Sequence, residues 1–547
     1  MKISLRTCLV LVSLLHCVSL FSQTKQTPAL PDRPKLVVGI VVDQMRWDFL
    51  YRYSDKYGNG GFKRLLNEGY SCENTHINYS PSFTACGHTC VYTGSVPSVH
   101  GITGNSWFQY NENRTVYCTE DTMMKTVGSA SNAGRMSPNR LLPTTITDEL
   151  RLATNFRAKT IGIALKDRSS ILPAGHAANA AYFYDPSSGN WITSSYYMNE
   201  LPVWVQQFNA SKWPEKFMAD NWSTLLNADQ YLQSTEDDEP WEGNFENEQK
   251  PVFAHKVSEI KPSFKALAAT PFGSTVTLKM AEGAVLNEQM GSDAITDFLA
   301  VSLSSPDYIG HRFGPNSREA EDCYLRLDKD LSDFFTFLDN NVGKGNYVLF
   351  LTADHGAAHS AGFLQEHKIP AGVFDADTAV KQLNAKLQQR FGAGEWIVAY
   401  DNMQLYFDHK LMEEKNVNAD VFKTIVKDFL LQFQGISKVL DLHNLANENV
   451  DANMRQAISN GVFMGRSGDM FILHQPGWFE DFTKGTTHGT VYPYDTHIPL
   501  VWMGWKVKHG EDHSEIHMTD IAPTIAGMLH IQEPSGNIGR PIQGLFK

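Results

Sequence analysis

The stretch FLTADHGAAHS (Phe350 to Ser360) ends an apolar run on an adjacent Asp354 and His355, followed by a Gly-Ala-Ala turn. Both side chains are good metal ligands, and a buried strand that stops on them belongs at a sheet edge where ligands bind. The dipeptide alone reads more readily as an accident of a surface loop, so the other strands must decide.

They repeat the pattern. KLVVGIVV (Lys35 to Val42) runs into Asp43, KTIGIAL (Lys159 to Leu165) into Lys166 and Arg168, and FLAVSL (Phe298 to Leu303) into Asp307 and His311. YVLFL (Tyr347 to Leu351) precedes Asp354, and IPLVWMG (Ile498 to Gly504) reads as a fifth strand. These β-branched runs alternate with helical patterns, which predicts an α/β fold: a mostly parallel central sheet flanked by helices. The clearest helix spans Ser317 to Leu338, where Tyr324, Leu327, Leu331, Phe334 and Leu338 define one buried face.

Each polar residue has an ordinary role open to it. Asp43 could cap a helix. Asp307 and His311 lie four apart, but Gly310 and Gly314-Pro315 favour a loop. His488, in KGTTHGTVYPYDTHIP (Lys484 to Pro499), reads alone as a surface histidine. Taken together, three carboxylates and three histidines on strand-end loops suit two zinc ions, which accept Asp oxygen and His nitrogen.

NYSPSFTACGHTCVYTG (Asn78 to Gly94) enters a short helix near Thr84. The free N–H groups of such a terminus suit a phosphate, and a hydroxyl held there by a metal can become a nucleophile. Ser82 and Thr84 both qualify, and spacing does not choose between them. Lys166 and Arg168, two apart in extended backbone, would point the same way and could hold phosphoryl oxygens. His88, His100, His176, His359 and His497 read as structural or supporting residues.

Bulk properties narrow the class. The 547 residues carry a formal net charge of −13, or −15 (−13 − 2) without Lys2 and Arg6, which disfavours a nucleic-acid partner. MKISLRTCLVLVSLLHCVSLFSQTKQ has a basic start, a short apolar stretch and Ser22, which predicts a secretory signal over 1–22 and an exported, periplasmic or secreted protein. His16 before Cys17 argues against a lipid anchor, and no later apolar run is long enough to span a membrane. Beyond that signal remain Cys72, Cys86, Cys90, Cys118 and Cys323, too few for a disulfide framework. From about 185 to 271 the pattern dissolves into Trp, Ser, Asn and acidic residues, which predicts an inserted cap that buries its aromatics. A second insertion is expected over about 370–482, where helix and strand patterns return.

Asp43, the Thr84 segment, HGITGN (His100 to Asn105), LKDR (Leu165 to Arg168), DYIGH (Asp307 to His311), TADHG (Thr352 to Gly356) and GTTH (Gly485 to His488) together resemble the alkaline phosphatase superfamily. The likeness runs in order from about Pro34 to the C-terminus and is strongest to its phosphate-irrepressible, PafA-type branch. It implies one catalytic domain over 34–547 that hydrolyses small phosphate monoesters through a phosphothreonine on Thr84 rather than Ser82. It also implies one zinc on Asp307, His311 and His488, and another on Asp43, Asp354 and His355 with Thr84 as a further ligand. Asn105, Lys166 and Arg168 would then contact the phosphate oxygens, in a protein expected to be a monomer.

A phosphodiesterase or nucleotide pyrophosphatase of the same superfamily would share these ligands. The Lys166 and Arg168 pair favours a monoester dianion over a diester. The nucleophile segment lacks the C-x-P-x-R or S-x-P-x-R pattern of a sulfatase. An intact nucleophile beside a full ligand set disfavours a non-catalytic zinc- or phosphate-binding envelope protein.

Overall fold

The strand Leu36–Val42 is buried along its whole length, because it lies mid-sheet with a parallel neighbour on each side. The structure, a computed structural model, describes residues 32–480 and 482–546. The signal expected over 1–22 lies outside them. Among the described residues no helix is long and apolar enough to cross a membrane.

The central sheet has ten strands. They are β1 (Leu36–Val42), β2 (Tyr70–Cys72), β3 (Thr126–Val127), β4 (Thr160–Ala164), β5 (Ala180–Asp185), β6 (Asn190–Ser194), β7 (Asp297–Leu303), β8 (Tyr347–Thr352), β9 (Leu500–Gly504) and β10 (Gly510–Asp512). Their spatial order is β10-β2-β9-β8-β1-β7-β4-β5-β6-β3. The contiguous run β8-β1-β7-β4-β5 is parallel throughout. β9 runs antiparallel to β8, so the last strand expected from the sequence joins the sheet in the opposite direction.

Register decides where the site falls. Val42 pairs with Leu303, Val41 with Thr352, and Ser302 with Ala164, so β1, β7, β8 and β4 end nearly level. Asp43 extends the ladder by donating its N–H to the Leu303 carbonyl at 3.1 Å. The residues that follow these strands therefore emerge at one carboxyl edge.

The helix Arg318–Leu338 buries Tyr324, Leu327, Leu331, Phe334 and Leu338, and the Ser317 side chain caps it by accepting from the Ala320 N–H. The segment 185–271 contains the short helices Val203–Ala210 and Trp213–Phe217, and Trp191 and Trp222 within it are fully buried. Within 370–482, four antiparallel strands lie in the order Ile397–Asp401, Gln404–Phe407, Met470–His474, Ile436–Asp441. With the helices Ala376–Phe391 and Ala419–Leu430 they form a separate core around Leu383, Trp396, Phe422 and Val426.

Candidate metal centre and active site

Two clusters of ligand atoms stand at that edge. Asp43, Asp354 and His355 form one and Asp307, His311 and His488 the other, each with its ligand atoms within 4.8 Å of one another. Asp43 follows β1 directly and Asp354 follows β8 by two residues. Both carboxylates are fully buried. Asp307 and His311 sit on a helix, Ser305–Phe313, where the glycines had predicted a loop. Pro306 lies in its first turn, where a missing N–H costs nothing, and the i, i+4 spacing brings His311 Nε2 to 3.1 Å from Asp307 Oδ1.

The three histidines are aimed alike. Nδ1 of His355 donates to the Gly356 carbonyl at 3.0 Å, that of His311 to Thr486 at 2.8 Å, and that of His488 to Ser82 at 2.8 Å. A carbonyl can only accept, so Nδ1 carries the proton and each Nε2 presents a lone pair to the cluster. Burial holds His355 and His488 below the ordinary imidazole range, which keeps them neutral and able to ligate.

The charge balance calls for cations. Three buried carboxylates face a single ammonium, Lys166, whose Nζ lies 2.6 Å from Asp43 Oδ2 and 2.5 Å from Asp307 Oδ2. Burial, with Asp307 and Asp354 close by, pushes the Asp43 carboxyl well above its usual range. In Asp307 and Asp354 the opposite direction prevails, and the Lys166 ammonium is the fixed cation that favours it. Asp43 Oδ1 and Asp354 Oδ2 are buried without a hydrogen-bond partner, since the His88 Nδ1 that lies 3.2 Å from Asp354 Oδ2 donates to the Thr84 carbonyl. Unpaired carboxylate oxygens beside imidazole lone pairs fit divalent metal ions.

Thr84 opens the helix Thr84–Thr93, and its Oγ1 lies 3.5 Å from His355 Nε2. Ser82 is occupied otherwise: its hydroxyl donates to the Thr490 carbonyl at 3.2 Å and its own carbonyl receives His488. Asn105 Oδ1 accepts from the Ala85 N–H at 3.0 Å, leaving its amide hydrogens as donors for a ligand. One turn into the helix, Gly87 rests on the Asp354 backbone, and a Cβ there would lie 2.3 Å from the Asp354 carbonyl oxygen.

Lys166 and Arg168 do not share an extended strand end. β4 stops at Ala164, Lys166 immediately precedes the helix Asp167–Ala174, and Arg168 is its second residue. The acidic Asp167 favours a helix start there. Arg168 donates to the Tyr117 hydroxyl at 3.0 Å, and Tyr117 in turn donates to Asp167 Oδ1 at 2.6 Å.

Gln44 escaped sequence reasoning. Its Nε2 donates to Asp307 Oδ1 at 2.8 Å and its backbone N–H to Asp354 Oδ1 at 3.2 Å, so it touches both clusters. His88, grouped with the supporting histidines, lies 3.2 Å from Asp354 Oδ2 and 2.8 Å from Ser302 Oγ. His100, His176, His359 and His497 bind backbone or neighbouring polar groups away from the ligand atoms. All five described cysteines are buried free thiols.

Known proteins resemble the chain along nearly its whole length. The chain is 50% identical to alkaline phosphatase PafA of Elizabethkingia meningoseptica over 95% of each chain. It is 47% identical to alkaline phosphatase PhoV of Synechococcus elongatus over the full length of both. The crystal structure of wild-type alkaline phosphatase PafA superposes with a TM-score of 0.91 at 49% identity, covering 94% of this chain and 99% of that one. Residues 37–510 match the type I phosphodiesterase / nucleotide pyrophosphatase model. The chain belongs to that family, within the alkaline phosphatase superfamily.

Proposed function

We propose that this chain is an exported alkaline phosphatase that hydrolyses phosphate monoesters to inorganic phosphate through a phosphothreonine on Thr84, with two zinc ions as cofactors. Near-full-length identity of about half with two alkaline phosphatases supports the monoesterase activity. The observation that carries the mechanism is a buried hydroxyl at a helix N-terminus, 3.5 Å from a ligand histidine.

Asp43, Asp354 and His355, with Thr84, would hold one ion, and Asp307, His311 and His488 the other. Zinc bound there would supply Lewis-acid chemistry, favouring the deprotonated Thr84 hydroxyl and offsetting charge on the leaving oxygen. Thr84 Oγ1 attacks phosphorus in line, the bond to the alcohol oxygen breaks, and water then releases phosphate from Thr84. Asn105, Lys166 and Arg168 supply the donors for the phosphoryl oxygens. In this reading 185–271 and 370–482 are caps inserted into a single catalytic domain, and 1–22 directs export.

The test is metal removal and reconstitution, with phosphate release from an aryl monoester as readout. Chelation should abolish turnover, zinc should restore it, and active enzyme should hold about two ions per chain. Acid-quenched enzyme should carry phosphate on Thr84. Phosphate on Ser82, or full activity with one ion, would overturn the assignment. Faster turnover of diesters than monoesters would favour the phosphodiesterase reading.

A further inference from the structure

Beside the ligand clusters lies a cavity of about 170 Å³ whose lining includes Phe83, Met403, His474, Phe479, Phe482 and His488. Two of its aromatic walls lean on histidines of one cluster. Phe83 meets His488 edge-on with ring centroids 5.5 Å apart, and Phe482 stacks on His311 at 4.9 Å. The attacking hydroxyl of Thr84 touches His355, in the other cluster. In-line displacement puts the leaving oxygen opposite the attacking one. The group attached to that oxygen then departs toward His311 and His488, the second of which lines the cavity.

We propose that this cavity receives the alcohol portion of the monoester and selects alcohols bearing a single aromatic ring. The inference rests on the monoesterase reading above. Phe83, Phe479, Phe482 and Met403 give the cavity apolar walls, which suit a ring face, and Glu480, Thr487 and Thr490 complete the lining. Its volume is below the roughly 300–1,000 Å³ of sites for drug-sized ligands, which is the scale of a single ring. One wall is polar: His474 Nε2 lies 2.7 Å from Glu480 Oε1, the same oxygen that accepts from the Tyr400 hydroxyl. With its Nε2 proton held by a carboxylate, the buried His474 keeps Nδ1 as an acceptor, and that atom has no partner in the protein.

Benzyl and methyl phosphate test this, because their leaving alcohols are of similar basicity and differ by the ring. With metal-replete, full-length enzyme, kcat/KM should favour benzyl phosphate by about tenfold or more, the discrimination expected of an apolar pocket. Met403→Ala should bring the ratio to within about threefold of unity, and Met403→Leu, which keeps an apolar wall, should preserve it. Met403→Gln should also lower the ratio and serves if Met403→Ala fails to fold. A ratio near one in the unmodified enzyme, or one unmoved by Met403→Ala or Met403→Gln, would overturn the pocket and leave the phosphatase reading intact. Turnover of neither ester would remove the monoesterase reading and the pocket with it.

Discussion

The two ligand clusters use similar residue types on different scaffolding. Asp43, Asp354 and His355 leave the ends of β1 and β8 and are fully buried, so the sheet register fixes them. Asp307 and His311 ride a nine-residue helix and His488 a loop, and the His311 side chain is 24% exposed. There, position depends on the Thr486 and Ser82 carbonyls and on Phe482 stacking. The strand-end cluster is preset by the core, whereas the other is assembled from connections that also line the neighbouring cavity.

The largest expected effects break one cluster at a time. Asp354→Ala and His488→Ala should each lower kcat/KM by at least about 10²-fold. Elemental analysis should find that each variant loses metal mainly from its own cluster. Equal loss of both ions from His488→Ala would mean that the clusters are one cooperative unit.

A smaller effect separates the two cations. Lys166 bonds a carboxylate of each cluster, whereas Arg168 bonds only Tyr117 among its described side-chain contacts. Lys166→Ala should therefore reduce turnover of an aryl monoester and an aryl diester together. Arg168→Ala should cost the monoester about one to two decades and the diester less, since charge-assisted bonds are worth about 1.5–3 kcal/mol. Equal losses in Arg168→Ala would reduce its role to holding the fold.

The smallest effect lies away from both clusters and serves as their control. His255 sits between Glu248 and Glu319, with one ring nitrogen 3.0 Å from each. Burial alone would depress its pKa, but the two carboxylates push it up to about 9. A raised folded pKa means that the stabilisation is complete below the unfolded value of about 6.5 and is lost as pH rises through about 9. His255→Gln should melt about 2–4 °C below the unmodified protein at pH 6, with the gap closing above pH 9. A gap constant with pH would mean that His255 acts by packing alone.

Legibility in the sequence follows the same division. β1, β4, β7 and β8 could be read because each is a short apolar run ending in a charge, and a sheet converts that pattern directly into position. The helix carrying Asp307 was hidden because Gly310 argued for a loop. In the structure a Cβ on Gly310 would lie 1.9 Å from Gln44 Oε1, so the glycine makes room for the side chain that bonds Asp307. Gln44 left no periodicity or spacing to find, because its partners are 263 and 310 residues away. Lys166 and Arg168 were assigned to one edge correctly but to the wrong backbone, since two residues between strand and helix give no pattern.

Gly87 gives the site its tolerance. The helix that begins at Thr84 can lie against Asp354 only because no carbon projects from this residue, where a Cβ would come within 2.3 Å of the carbonyl oxygen. Ordinary van der Waals contact requires about 1 Å more. Misplacing an attacking atom by about 1 Å can cost 10²-fold in rate. In the proposed mechanism the thickness of one methyl group is thus the gauge of the site, and it sits three residues from Thr84, whose placement it governs.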